Sequence, residues 1–269
     1  MSFSKLPDIG MGTFRLKGND ARDAVKSALS VGYRHIDTAQ MYDNEADVGE
    51  GISASGVPRD DIFLTTKIWH DQLHANDLIR SLRDSLARLK TDYVDLALIH
   101  WPSPNNDVPM EEYLGALRDA QKEGLAKHIG ISNFTCAQMD QAIEILGENT
   151  IFTNQVEVHP FLTNRKVVEH AQKLGITVTG YMPLAVGKVM EDETLQRIGQ
   201  GHNATPAQIA IAWVAARGLV PIPSSTRAAH QTANLDALKI TLSDDEVRAI
   251  DHLDRCERIA NPGFAPDWD

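Results

Sequence analysis

Cysteine is scarce: Cys136 and Cys256 are the only two in 269 residues, too few for a disulfide framework. Basic charge is short as well. Against 26 lysines and arginines stand 37 aspartates and glutamates, a formal charge of −11, so the basic footprint of a nucleic-acid or anionic-membrane binder is missing. A local basic pocket for an anionic ligand is still compatible with that balance. No apolar run approaches the roughly 20 residues of a membrane span, and the opening MSFSKLPDIG lacks the basic and apolar regions of a secretory signal. We therefore expect a cytoplasmic protein with neither nucleic acid nor membrane as partner. Also missing is any Ser/Gly-rich linker or low-complexity tract, which predicts a single domain over residues 1–269.

What the sequence has is alternation. Short apolar runs at residues 10–13, 34–37, 62–67, 94–99, 127–131, 151–155, 177–181 and 219–222 read as strands, separated by segments of helical period. Residues 77–89 put Leu78, Leu82, Leu86 and Leu89 on one helix face. Thr205-Pro206 reads as an N-cap with proline in the first turn, and Ser243 with Glu246 as a capping box. Eight strands alternating with helices predict an α/β fold, a single (β/α)8 TIM barrel with its active site at the C-terminal strand ends. The competing open doubly wound sheet, in its dinucleotide-binding form, wants G-x-G-x-x-G. Here the early glycines read GMGTFR, with Arg15 in the third position. The tail at residues 257–269, rich in Pro, Phe and Trp, is long enough to lie across one mouth.

Three successive strands end in groups that an apolar core would not choose: Asp37, Lys67 and His100. Tyr42 follows Asp37 by five positions. A salt bridge or a satisfied histidine explains any one of these alone, but three in a row with a nearby tyrosine point to chemistry. A tyrosine can give a proton to a carbonyl oxygen, yet a pKa near 10 makes it reluctant. A lysine beside it favours the phenolate and is expected to lower that pKa, with an aspartate holding the lysine. A histidine can orient the carbonyl oxygen or share in proton transfer. Such a set suits acid-assisted carbonyl reduction and needs a hydride source beside it.

These residues resemble the aldo-keto reductase family. The likeness runs through GTF at 12–14, HIDTAQMYDNEADVG at 35–49, TTKIW at 65–69, LIHWP at 98–102, GISNF at 130–134, NQVEVHP at 154–160 and YMPLA at 181–185. It covers nearly the whole chain in the family's order. Within the family the chain is most similar to the bacterial 2,5-diketo-D-gluconate reductases of the B type, which also reduce methylglyoxal. The resemblance implies an NADPH-dependent reductase of small aldehydes and ketones that uses no metal, and on this reading the protein is a monomer. Asp37, Tyr42, Lys67 and His100 would be its catalytic tetrad. It implies that Ser132, Asn133 and Gln155 hold the nicotinamide carboxamide, that Tyr181 stacks on the ring, and that Gly12, Thr13, Phe14, Asp37, Pro183 and Leu184 complete the cofactor contacts. Trp69 and Trp101, beside Tyr42 and His100, would wall the substrate pocket.

Two departures follow. Relatives often carry a lysine where this chain has Ser224 and an arginine where it has His230. That leaves Ser225, Thr226, Arg227 and Asn234 for the adenosine side and implies a weaker preference for NADPH. The short N-terminus leaves little room for the hairpin that commonly precedes the first strand. His70 and His74 have an i, i+4 metal spacing, but Asp71 replaces the glutamate of H-E-x-x-H and no third ligand is evident. His159 reads as structural or at the pocket rim, and the two thiols as inert. The rival functions are a metal- or phosphate-dependent isomerase, for which no ligand cluster can be assembled, and a catalytically weak nucleotide-binding sensor or structural protein on the same fold.

Overall fold

The computed structural model describes residues 4–269. Its strands are β1 (Met11–Gly12), β2 (His35–Asp37), β3 (Phe63–Ile68), β4 (Val94–Ile99), β5 (Ala126–Ser132), β6 (Ile151–Glu157), β7 (Thr177–Tyr181) and β8 (Val220–Pro221). Each overlaps one of the eight expected segments. They form one parallel sheet in the order β1 to β8, every strand paired with its sequence neighbour. That order excludes the doubly wound alternative, whose strand order reverses at a switch point. The first and last strands also meet. The Gly10 N–H donates to the Pro221 carbonyl and the Gly12 N–H to the Pro223 carbonyl, both at 3.0 Å. A Cβ on Gly12 would stand 2.9 Å from the Ile222 carbonyl oxygen, so this approach requires glycine.

Around the sheet run α1 (Gly18–Val31), α2 (Glu45–Ser55), α3 (Ala75–Leu89), α4 (Met110–Lys122), α5 (Cys136–Leu146), α6 (Arg165–Lys173), α7 (Glu193–His202), α8 (Pro206–Ala216), α9 (Ala228–Asp236) and α10 (Asp244–Asp251). On α3 the leucines at 78, 82, 86 and 89 are all buried, as their spacing predicts. The Thr205 and Ser243 caps are both formed, each as a complete capping box. A third box, Thr135 with Gln138, opens α5 two residues after Asn133 and fixes where β5 turns into helix. No strand precedes β1 among the described residues.

The sheet separates two apolar layers. The larger lies between strands and helices; the smaller gathers Leu6, Phe63, Leu96, Leu98 and Val220, with Phe152 against them. Because side chains alternate along a strand, the face that carries Phe63 also carries Thr65 and Lys67, and the face of Leu96 and Leu98 leads to His100. Strand β6 needs one irregularity to join in. Between Ile129↔Ile151 and Ile131↔Asn154, two residues of β5 oppose three of β6. This bulge allows Phe152 and Gln155, three apart, to share a face. Parallel strands end together, so Asp37, Lys67, His100, Ser132, Glu157 and Tyr181 collect at the sheet's C-terminal end. No helix among the described residues is long and apolar enough to cross a membrane.

Candidate active site

Lys67 is the centre of the C-terminal end. Its side chain is fully buried, and its ammonium donates to Asp37 Oδ1 at 2.5 Å, to the Thr38 carbonyl at 2.9 Å and to the Tyr42 hydroxyl at 3.2 Å. All three of its protons therefore have acceptors. The second oxygen of Asp37 accepts from Gln155 Nε2 at 2.8 Å, which ties β2 to β6. Tyr42 ends the short turn Gln40–Tyr42, where Asp43 follows in the left-handed region with φ 50°. Neighbouring segments of the protein hold that turn. Lys17 Nζ donates to the Tyr42 carbonyl, Asn44 Nδ2 to the carbonyls of Thr13 and Leu16, and the Trp69 N–H to Gln40 Oε1. His100 follows β4 directly, its N–H on the Ile68 carbonyl at 3.0 Å and its ring edge-on to Tyr42 at 5.7 Å between centroids.

The electrostatics correct one expectation. Burial opposes the charge on Lys67, but Asp37 and Tyr42 outweigh it and hold the ammonium's pKa above its ordinary value. For Tyr42 burial is the larger influence. Lys67 does pull the phenol down, as expected, but the net shift is upward because a buried phenolate is poorly solvated. Tyr42 is thus held as a neutral phenol at neutral pH. Burial, then the charge of Lys67, pushes His100 well below its ordinary pKa, so its imidazole is neutral. Its Nδ1 is buried and has no hydrogen-bond partner among the described residues.

A cavity of about 360 Å³ opens above these groups. Its polar side presents Asp37, Tyr42, His100, Ser132, Asn133 and Gln155; Phe14, Trp101, Tyr181, Pro183 and Leu184 are among its apolar walls. Ser132 Oγ donates to the Gln155 carbonyl, Asn133 Nδ2 to the His100 carbonyl, and the Tyr181 hydroxyl to Asn133 Oδ1. Donors and acceptors thus converge beside an aromatic ring, the combination that a carboxamide on a flat heterocycle would need. At the far side the lining reaches Pro223 and Ser224. Beyond them Ser225 is half-buried and Thr226 and Arg227 are exposed at the start of α9, whose first turn carries no acid. Arg227 forms no ion pair among the described residues, and with the open helix N-terminus it suits a phosphate.

Some expected residues lie elsewhere. Thr13 is buried and donates its hydroxyl to the Asp37 carbonyl, which supports the strand end and does not face the cavity. Gly12 does line it. Asn234 is buried on α9 beside the Tyr33 hydroxyl. Trp69 reaches the site through its ring, edge-on to His100 at 5.1 Å, and Trp101 lines the cavity itself. Cys136, at the start of α5, has its thiol pushed up to about 11 by burial and by Asp269, against nucleophilic reactivity. The sequence reading missed the individual contacts of the tail. Ala260 lines the cavity, and Phe264 stands edge-on to both Trp69 and Trp101 at 5.8 and 5.5 Å. It also missed Met41 and Val186, large apolar side chains left exposed at the rim.

Comparison with known proteins bears on this geometry. The family model described as the aldo/keto reductase family matches residues 8–255. Methylglyoxal reductase DkgB of Escherichia coli O157:H7 is 52% identical over 265 residues, covering 98% of this chain and 99% of that protein. Glyoxal reductase of Bacillus subtilis is 35% identical, covering 96% and 93%. Among solved structures, a candidate 2,5-diketo-D-gluconic acid reductase B superposes with a TM-score of 0.94 at 43% identity, over 98% of this chain and 94% of that one. A Bombyx mori aldo-keto reductase in complex with NADP gives 0.89 at 32% identity, over 97% and 95%.

Proposed function

The chain belongs to the aldo/keto reductase family and is an oxidoreductase, and from that premise we propose that it reduces small aldehydes and ketones with NADPH. Methylglyoxal and 2,5-diketo-D-gluconate, named in its relatives, are the leading substrates. The observation that carries the reading is the fully buried Lys67, bonded at once to Asp37 and to a tyrosine hydroxyl beside the cavity. We read the sheet as a closed (β/α)8 barrel forming one domain; the Gly10–Pro221 and Gly12–Pro223 hydrogen bonds support the closure.

When bound, NADPH supplies a hydride to the carbonyl carbon. Ser132, Asn133 and Gln155 would hold its carboxamide, Tyr181 its ring, and Arg227 with Ser225 and Thr226 its adenosine phosphate. The chain's own part is at the carbonyl oxygen. His100, kept neutral, donates a hydrogen bond that orients this oxygen and polarises the bond. Tyr42, kept protonated by burial, gives it the proton. Lys67 then faces the developing phenolate, where its charge is most useful because the surroundings are dry. Asp37 holds Lys67 in place, and Trp101 and the ring of Trp69 shield the pocket from water.

The test is loss of NADPH absorbance with methylglyoxal and a panel of aldehydes and keto sugars, in wild type and in Tyr42→Phe. Wild type should turn over. Tyr42→Phe should bind NADPH normally while kcat falls by ~10²–10⁴, the contribution of a positioned acid. Near wild-type single-turnover rates in Tyr42→Phe would exclude the tyrosine as donor.

A further inference from the structure

Glu157 ends β6 at the mouth of the sheet, two residues past Gln155 and paired in register with Tyr181. Its side chain is completely buried, yet among the described residues it forms no hydrogen bond or ion pair with lysine or arginine. Both carboxylate oxygens are instead committed to one segment. Oε1 accepts the Ile259 N–H at 2.7 Å and Oε2 the Ala260 N–H at 2.7 Å, while His159 Nε2 lies 2.8 Å from Oε1. Residue 260 lines the cavity. From there the chain carries Phe264 onto Trp69, His70 and Trp101, and Trp268 onto Trp101 and the Arg258 guanidinium.

We propose that Glu157 is a positioning residue for carbonyl substrates: its buried carboxylate fastens residues 259–260 to the strand end and so sets the wall that Ala260 forms directly and Phe264 backs through Trp101. The proposal rests on the reductase reading above. Two main-chain donors from consecutive residues need two acceptor oxygens at fixed spacing, which a carboxylate provides and a carboxamide does not. Hydrogen bonds to a charged, dry acceptor are the stronger kind. The residues assigned to the dinucleotide lie at the ends of β5, β6 and β7 and beside α9, none of them on this segment; Gln155, on the same strand as Glu157, is held by Asp37 and not by the tail. Loosening the segment should therefore weaken the grip on substrate and spare the cofactor.

In Glu157→Gln one amide N–H must face the new NH2 group. Hydrogen exchange at Ile259 and Ala260 should speed up, and KM for methylglyoxal should rise by about 10- to 100-fold, the equivalent of one strong hydrogen bond. Kd for NADPH, read by protein fluorescence, should stay within about threefold of wild type, a margin small against that loss. Phe264→Ala, made at a partly exposed position, should raise KM on its own. In that background Glu157→Gln should add little, because both act through one wall. Unchanged exchange at Ile259 and Ala260, unchanged KM, additive KM effects, or an equal loss of NADPH affinity would each overturn the proposal. If Glu157→Gln does not fold, an unchanged KM in Phe264→Ala overturns it and a raised KM supports it. A wild-type enzyme inactive on every carbonyl refutes the reductase reading instead, and the exchange measurement still reports on the anchor.

Discussion

Replacing Lys67 by methionine keeps the stem and removes the charge. In the native protein the ammonium sits 3.2 Å from the Tyr42 hydroxyl. At that distance and an effective dielectric of 20, two unit charges interact by about 5 kcal/mol. A phenolate about half developed in the transition state would feel roughly half of this, and each 1.36 kcal/mol is tenfold, so kcat should fall roughly 10²-fold. The pH–rate profile should move too, since Tyr42 loses the one neighbour that pulls its pKa down. Stability needs separate treatment. Lys67→Met strands a buried Asp37 with Gln155 as its remaining side-chain partner, and breaking a buried pair from one side costs about 3–5 kcal/mol. The double variant Asp37→Asn/Lys67→Met removes both charges, so it should regain most of that stability and none of the activity. Urea unfolding and single-turnover NADPH oxidation read the two quantities apart. The reasoning fails if Lys67→Met keeps kcat within about threefold, well short of the estimate, with an unshifted profile. It fails equally if the double variant recovers kcat along with stability, because the pair would then be purely structural.

Arg227→Ala should weaken NADPH by about 10- to 100-fold and leave NADH nearly unchanged, since only the 2′-phosphate calls on a charged fork. The gap should narrow as salt rises, and equal losses for both cofactors in titration would remove Arg227 from that role. Burial pushes His35 down to about 4, so its contribution to stability is complete above pH 6.5 and is lost as pH falls toward 4. From the shift it amounts to about 3 kcal/mol. His35→Asn should flatten this part of the acid limb in urea unfolding, with His100 still contributing in the same direction; an identical drop in both proteins would contradict it. Gly12→Ala drives a methyl to 2.9 Å from the Ile222 carbonyl oxygen. The expected loss is about 1–3 kcal/mol, visible as a lower Tm, and an unchanged Tm would mean that β1 and β8 can part freely. Alkaline stability follows Lys67. Its raised pKa means that its contribution persists up to about pH 10.5 and disappears as pH climbs through the folded value, a decline that Lys67→Met should lack.

Local patterns settled much of this protein from the sequence alone. The eight strands were legible because buried strands are short apolar runs and the helices between them repeat at 3.6 residues, both properties of neighbouring residues. The caps at Thr205 and Ser243 were legible for the same reason. Asp37, Lys67 and His100 stood out because charged or imidazole groups at the ends of apolar runs need a reason to be there. Summed influences and long-range meetings were not legible. The direction of the Tyr42 shift depends on how completely the ring is desolvated, which the surrounding chain decides and no motif records. The bulge in β6 that brings Gln155 round to Asp37 is a register fact between strands. Above all, Glu157 looked like one letter in NQVEVHP. What makes it an anchor is a pair of backbone N–H groups about a hundred positions later in the chain, and backbone donors are the same in every sequence. Only the tertiary structure could bring them to its carboxylate.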